Sequence, residues 1–183
     1  MMCPLEIIQK YYPDESETYK ILLKHSLCVA EKAIQIGNTH PELQLDIQFI
    51  EEAAMLHDIG IFLCYAPEIG CYGKAAYICH GYLGADILRK EGYPNHAFVC
   101  ERHTGAGISF EMIERFNLPL PRRELRPQSL EEKLICYADK FFSKTNLHRE
   151  KTIEQILTSM AKYGEESLKQ FKQWHQLFGL KDS

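Results

Sequence analysis

The chain has 183 residues, of which 45% are hydrophobic and 25% are charged, and its formal net charge is −4. This length is enough for one domain with a substantial core, and the negative charge argues against broad nucleic-acid binding, which requires a basic surface. Because no apolar run is long enough for a membrane span and the N-terminus lacks the features of a signal peptide, we expect a cytoplasmic protein without membrane association.

The first third of the chain is predicted to form three helices. A short N-terminal helix is predicted before a turn at residues 11–14, and a second helix is predicted over residues 16–36, because the Gly37-Asn38 pair is typical of a helix end. A third helix is predicted over residues 45–59. His25 lies on the apolar side of the second helix, four residues from Ile21 and from Val29.

The remaining chain continues the helical pattern. Glycine and proline in residues 65–73 indicate a loop, and helices are then predicted from His80 to about residue 92, over 96–103 and over 110–116. A loop rich in proline and arginine covers residues 118–128. Ser129, with Glu132 three residues later, resembles a capping box that begins the next helix, and residues 152–180 form one or two amphipathic helices. We therefore predict an all-α, single-domain helical bundle over residues 1–183, with its functional core at about 20–144.

The cysteines are seven in number, and no two of them form a C-x-x-C motif. In a chain without a recognisable signal peptide, such scattered cysteines are expected to stay reduced and to act as small apolar residues. Thiolate spacing typical of a structural zinc site is absent, so we expect the functional groups to be side chains other than cysteine.

The segment of residues 53–60 contains an unexpected side chain, the carboxylate of Asp58. Its apolar helical run ends in His57 and Asp58, followed two residues later by Gly60. A buried, ionised carboxylate is costly unless it is paired or bound to a metal. A carboxylate at the end of a core helix, next to an imidazole, therefore suggests a metal site.

Other histidines and aspartates lie on apolar helical faces or at helix ends in the same way. Together with the adjacent pair, they form a set of six: His25, His57, Asp58, His80, His103 and Asp139. Neighbouring residues on a helix point about 100° apart, so the adjacent pair can reach different sides of one site. Helical bundles build metal sites from inward-facing side chains in this manner.

This order of residues resembles the HD-domain superfamily of metal-dependent phosphohydrolases. The resemblance covers roughly residues 20–144 and is carried by His57-Asp58-Ile59-Gly60, by the segment from His80 to Ala85, by Arg102-His103-Thr104-Gly105 and by Ala138-Asp139-Lys140. One departure is Ile61, because many relatives have a lysine directly after the HD-x-G segment. The resemblance implies hydrolysis of a phosphate ester or anhydride.

The resemblance also implies the ligands of two metal ions. The first ion is expected to be bound by His25, His57, Asp58 and Asp139, and the second by His80, His103 and a bridging Asp58, which would also be the central catalytic residue. Nitrogen and carboxylate ligands suit iron or manganese, with zinc, nickel or magnesium as alternatives. The expected partner is a small phosphorylated substrate, a nucleotide among the candidates, and a homodimer is one candidate assembly.

Phosphate binding requires cations close to the metals. Arg102 and Lys140 each adjoin a predicted ligand and are the predicted substrate-binding residues. The competing interpretation of each is an ordinary surface charge. The arginines of the 118–128 loop are further candidates if that loop covers the site as a lid.

Three functions are compatible with this pattern. A nucleotide or metabolite phosphohydrolase is the leading one, and HD relatives that cleave dinucleoside tetraphosphates are the nearest specific example. HD-type di-iron oxygenases share the six-ligand pattern, and sequence spacing does not separate the two chemistries. The third is a non-catalytic regulatory domain with a structural metal.

Overall fold

The computed structural model of the protein describes residues 2–13 and 15–179. Asp14, which belongs to the predicted turn, and Leu180, the predicted end of the last helix, lie outside the described residues, as do Met1 and residues 181–183. Helices dominate the described chain, so the predicted all-α class is confirmed.

The α-helices are α1 (Pro4–Tyr11), α2 (Glu17–Thr39), α3 (Ile47–Leu56), α4 (His80–Lys90), α5 (Pro94–Arg102), α6 (Phe110–Arg115), α7 (Leu130–Asp139), α8 (Ile153–Ala161) and α9 (Glu165–Phe178). Short 3-10 helices occupy Pro41–Leu43, Ile61–Leu63, Pro67–Ile69 and Tyr77–Cys79. In the predicted loop after α3, strands β1 (Tyr65–Ala66) and β2 (Cys71–Tyr72) form a small antiparallel pair, with Tyr65 opposite Tyr72.

Helix α3 is shorter than its apolar pattern predicts. The Asp46 side chain accepts a hydrogen bond from the Phe49 N–H, which is the usual interaction of an N-cap, and the helix ends at Leu56. His57 keeps right-handed helical angles, and the chain then turns. His57 and Asp58 therefore lie just beyond the helix, where their side chains leave the helical register.

Helix α7 shows half of the predicted capping box. The Ser129 hydroxyl accepts a hydrogen bond from the Glu132 N–H at 3.1 Å, as expected for the cap. The Glu132 carboxylate does not return the bond to Ser129, because it accepts the Gln128 N–H at 3.0 Å and the guanidinium of Arg102 instead. A complete capping box is found on α8, between Thr152 and Gln155.

The core is formed mainly where α2 packs against α3 and α7, and where α4 packs against α5. Val29 of α2, Ala53 of α3 and Leu134 of α7 are fully buried in it. Among the described residues, none of the helices combines the length and apolar character that crossing a membrane requires.

Glycines allow the end of α3 and the start of α4 to come into contact. A side chain at Gly60 would place its Cβ 2.3 Å from the His80 carbonyl oxygen. A Cβ at Gly84 would lie 2.6 Å from the Cys100 sulfur and 2.8 Å from the Gly60 nitrogen. This close approach brings His80 next to the turn that carries Asp58.

Candidate metal centre

The six predicted ligands converge in one buried cluster, although they come from separate elements. His25 lies within α2, His57 and Asp58 follow α3, His80 begins α4, His103 follows α5 and Asp139 ends α7. Asp58 and His57 are fully buried, and the other histidines of the cluster expose at most 4% of their surface.

Asp58 is the centre of this cluster, because its two carboxylate oxygens face different histidines. Oδ2 lies 3.2 Å from Nε2 of His25 and 3.0 Å from Nε2 of His57. Oδ1 lies 3.3 Å from Nε2 of both His80 and His103. Among the described residues, neither oxygen has a hydrogen-bond partner of regular geometry.

These contacts define two groups of potential ligand atoms that share Asp58. In each group, the ligand atoms lie within 4.8 Å of one another. Asp139 completes the first group, with Oδ1 at 2.9 Å from Nε2 of His25 and 3.6 Å from Nε2 of His57. The second group consists of Asp58, His80 and His103.

Local hydrogen bonds orient three of the imidazole rings. Nδ1 of His57, His80 and His103 each donates to the backbone carbonyl three residues earlier, at 2.6, 2.6 and 2.7 Å. A carbonyl only accepts, so each of these rings carries a proton on Nδ1, and in the neutral rings of His80 and His103 the Nε2 lone pair points into the cluster. Such hydrogen bonds are a regular feature of metal-ligating histidines.

His80 and His103 face each other in an arrangement that suits a cation. Their Nε2 atoms are 3.0 Å apart. Burial lowers the pKa of His80 to about 3 against the opposing effect of Asp58, and burial likewise lowers the pKa of His103. Both rings are therefore neutral, and two lone pairs meet beside the Asp58 carboxylate, an arrangement that a metal ion between them satisfies.

The separations within both groups fit a metal ion. With bonds of about 2.0–2.1 Å to nitrogen or oxygen, neighbouring ligand atoms lie about 3.0 Å apart in octahedral and about 3.4 Å apart in tetrahedral geometry. The distances from Asp58 oxygens to histidine nitrogens are 3.0–3.3 Å. The residues present therefore fit one ion in each group.

Two lysines lie against the carboxylates of the cluster. Nζ of Lys140 is 2.6 Å from Oδ2 of Asp139 and also donates to the His103 carbonyl at 3.1 Å. Nζ of Lys144 is 2.6 Å from Oδ2 of Asp58. Burial opposes the charge of each lysine, but the aspartates outweigh it and raise the pKa of both, so the ammonium groups stay charged.

The charges of the cluster hold Asp58 ionised. Burial would raise the pKa of this carboxyl group, but His57 and Lys144 outweigh that effect and hold it well below its usual range. Burial likewise disfavours the charged form of His57, yet Asp58 and Asp139 raise its pKa to about 9. The carboxylates are thus available as anionic ligands.

Sequence analysis missed Lys144. It lies five residues after Asp139, in irregular chain beyond α7, and no helical periodicity connects it with the cluster. No local sequence pattern marks Lys144, and only the folded structure places its Nζ 2.6 Å from Oδ2 of Asp58.

A cleft leads from solvent to this cluster. One cavity of about 340 Å³ includes His25, Asp139 and both lysines in its lining. An adjoining cavity of about 330 Å³ is lined by His80 and His103. Tyr77 borders both cavities, and its ring stacks on His80 with a centroid distance of 4.7 Å.

The other predicted cations are engaged elsewhere. Arg102 borders neither cavity; its Nη1 donates to the Glu132 carboxylate at 3.1 Å. In the predicted lid loop, Arg123 pairs with Glu101 at 2.8 Å, and Leu125 is buried. The loop therefore packs on the bundle through its own contacts, and neither cavity includes a residue of it in its lining.

The remaining prediction of sequence analysis concerns the cysteines. All seven cysteines are free, as predicted. Cys100 and Cys136 donate hydrogen bonds to the backbone carbonyls of His57 and His103, and they thereby help to hold the backbone of these two predicted ligands. His96 contacts Glu52 at 3.3 Å, outside the cluster.

Comparison with known proteins agrees with this geometry. The family model described as HD domain matches residues 22–144. An uncharacterized protein of Methanocaldococcus jannaschii is 33% identical over 121 residues, which cover 64% of both proteins. The tRNA (cytidine(56)-2'-O)-methyltransferases of Picrophilus torridus and Thermoplasma volcanium are each 31% identical, over 73% and 76% of this chain but 38% and 35% of their own lengths.

The chain thus spans less than two thirds of the length of these curated relatives. Among solved structures, the crystal structure of the HD domain of the L. monocytogenes phosphodiesterase PgpH covers 95% of both chains, with a TM-score of 0.55 and 17% identity. At 17% sequence identity, this similarity shows the fold alone.

Proposed function

The chain belongs to the HD-domain family, and from that premise we propose that it is a metal-dependent phosphohydrolase acting on a small phosphorylated substrate. The observation that carries this proposal is the buried Asp58 carboxylate, with each oxygen facing its own pair of imidazoles. A carboxylate in this position suits a bridge between two cations. Oδ1 of Asp58, which has no hydrogen-bond partner among the described residues, and the opposed histidine nitrogens support the same assignment.

We propose that His25, His57, Asp58 and Asp139 hold one ion, and that Asp58, His80 and His103 hold the other. Iron or manganese suits this set of nitrogen and carboxylate ligands. Bound ions of this kind activate water and neutralise the charge of a phosphoryl group. Asp58 is the residue whose removal affects both positions.

The cleft favours phosphate as the group that reacts there. Lys140 and Lys144 line it beside the cluster and remain charged. Once metal ions neutralise the two aspartates, these ammonium groups are available to donate hydrogen bonds to phosphate oxygens, which are strong when the partners are charged. Arg102 stays a prediction for this role, since it would first have to leave Glu132.

Phosphate release from a panel of nucleotides and phosphate esters, after reconstitution with Mn²⁺ or Fe²⁺, tests this function. We expect turnover by the wild type and loss of at least about 100-fold in Asp58→Asn, together with lower metal content, since even outer-shell changes cost 10–100-fold. Asp86→Asn is the matched control, because Asp86 is an exposed aspartate of α4 paired with Arg89.

Two outcomes would contradict the proposal. Turnover that survives in Asp58→Asn would remove Asp58 from the centre of the reaction. Dioxygen consumption by the iron-loaded protein, with substrate conversion and no phosphate release, would replace hydrolysis by the oxygenase chemistry that shares this ligand pattern.

A further inference from the structure

The cleft beside the metal centre continues past the cluster into a second depression. This depression has a volume of about 280 Å³, and it shares Ser143, Lys151 and Ser159 with the 340 Å³ cavity. Beyond these shared residues it is lined by Asn146, Arg149 and Gln155. A ligand that reaches the centre can therefore extend along a continuous groove toward α8.

Lys151 is the charged residue at the junction, and its environment differs from that of the other two lysines. Lys140 and Lys144 each lie 2.6 Å from an aspartate. Among the residues that the structure describes, Lys151 makes no ion pair; its Nζ donates only to the Phe142 carbonyl, at 3.3 Å. A half-buried ammonium without an anion has lost hydration that a carbonyl restores only in part.

The second depression that Lys151 borders is rich in donors, and the described residues of its lining include no carboxylate. The lining of the second depression consists of hydroxyl, amide and cationic side chains. Gln155 and Ser159 are four residues apart on α8, which places them on the same face of the helix. The Lys151 N–H donates to the Phe141 carbonyl at 2.8 Å, which fixes the backbone immediately before α8.

Burial also lowers the pKa of Lys151. Asp139 acts in the opposite direction, whereas Lys140 and Lys144 repel the charge of Lys151 and add to the shift. An anionic ligand bound beside Lys151 would therefore lower the electrostatic free energy, because it would supply the negative partner that the ammonium group lacks.

We propose that Lys151, with Ser143, Ser159 and Arg149, forms an anion subsite that holds a second phosphate of the substrate while the reacting phosphate lies at the metal centre. This inference rests on the proposed function and narrows it, because the preferred substrates then carry a chain of phosphates or two separated phosphoryl groups. A simple monoester leaves the subsite unused.

Calorimetric binding of inorganic tripolyphosphate and orthophosphate tests the subsite, with the same Mn²⁺ concentration in cell and syringe. We expect Lys151→Met to weaken tripolyphosphate binding about tenfold, as the loss of one charge-assisted hydrogen bond predicts, and to change orthophosphate binding less than about twofold. Lys151→Arg retains a cation and should stay within about threefold of the wild type for both ligands.

Lys172→Met is the matched control, since Lys172 is exposed on α9 and lines neither cavity. Equal tripolyphosphate affinity in Lys151→Met and Lys172→Met would overturn the subsite, as would a wild type that binds tripolyphosphate no more tightly than orthophosphate. Phosphate release is assayed separately from binding, so a protein that binds tripolyphosphate through Lys151 but releases no phosphate in the hydrolase assay retains the subsite and loses the proposed function.

Discussion

At the scale of single residues, Lys144 and Asp58 form the most consequential pair of the site. The ammonium lies 2.6 Å from Oδ2 of an aspartate that is fully buried. Oδ2 also faces Nε2 of His25 and His57, so the ammonium and the metal position compete for the same oxygen. Lys144 therefore stabilises the site most when metal is absent.

Lys144→Met is expected to destabilise the chelated protein by about 3 kcal/mol, because removing one partner of a buried ion pair leaves the other charge uncompensated. In the Mn²⁺-loaded protein the cost should fall below about 1 kcal/mol, since the metal replaces the lost cation. Urea unfolding with and without chelator measures both values, and Lys172→Met serves as the surface control. An equal loss in the two states would show that Lys144 does not compensate for the metal charge.

The convergence of the six proposed ligands was predictable from sequence, whereas the position of Lys144 was not. His25 lies on an apolar helical face, and His57-Asp58 ends an apolar helix. Polar side chains are unexpected at these positions, which marks these residues as functional candidates. Lys144 lies in irregular chain, and a lysine there is typical of a surface loop. The direction of its long side chain depends on tertiary structure, which local periodicity does not contain.

At the scale of elements, the cluster depends on how closely α4 approaches the turn after α3. Gly60 and Gly84 leave no space for a Cβ at this contact, and the nearest obstacles are largely backbone atoms of the opposing segment. The position of His80, the first residue of α4, therefore follows from the packing of these glycines. The pairing of Glu132 with Arg102 could not be predicted from sequence, because it joins α7 to α5 through tertiary structure.

Gly84→Ala tests this packing. Alanine gains about 1 kcal/mol of helix propensity over glycine, but overpacking costs about 1–3 kcal/mol, and the new Cβ would lie 2.6 Å from the Cys100 sulfur. We expect net destabilisation of about 1 kcal/mol and weaker binding at the His80–His103 group, measured by thermal unfolding and by Mn²⁺ titration. Lys90→Ala, at an exposed position of the same helix, should change neither; equal behaviour of the two variants would reject the packing argument.

At the scale of the whole molecule, the metal centre joins segments that are distant in sequence. Its proposed ligands come from α2, the turn after α3, the start of α4, the end of α5 and the end of α7. Each of these five segments contributes apolar residues to the common core and one to three polar atoms to the candidate centre. Without metal, the core still packs, but the opposed Nε2 atoms of His80 and His103 remain, and Oδ1 of Asp58 has no hydrogen-bond partner among the described residues.

Removal of metal should therefore lower the stability of the entire bundle. A ligand present at 100 times its dissociation constant stabilises the folded state by about 2.7 kcal/mol, and about 1 kcal/mol corresponds to 2–4 °C for a chain of this size. We expect chelation to lower the Tm by about 5–10 °C and Mn²⁺ to restore it. In Asp58→Asn, chelator and Mn²⁺ should leave the Tm nearly unchanged, because both metal positions need this carboxylate. A chelator shift of the same size in wild type and Asp58→Asn would place the stabilising metal elsewhere in the protein.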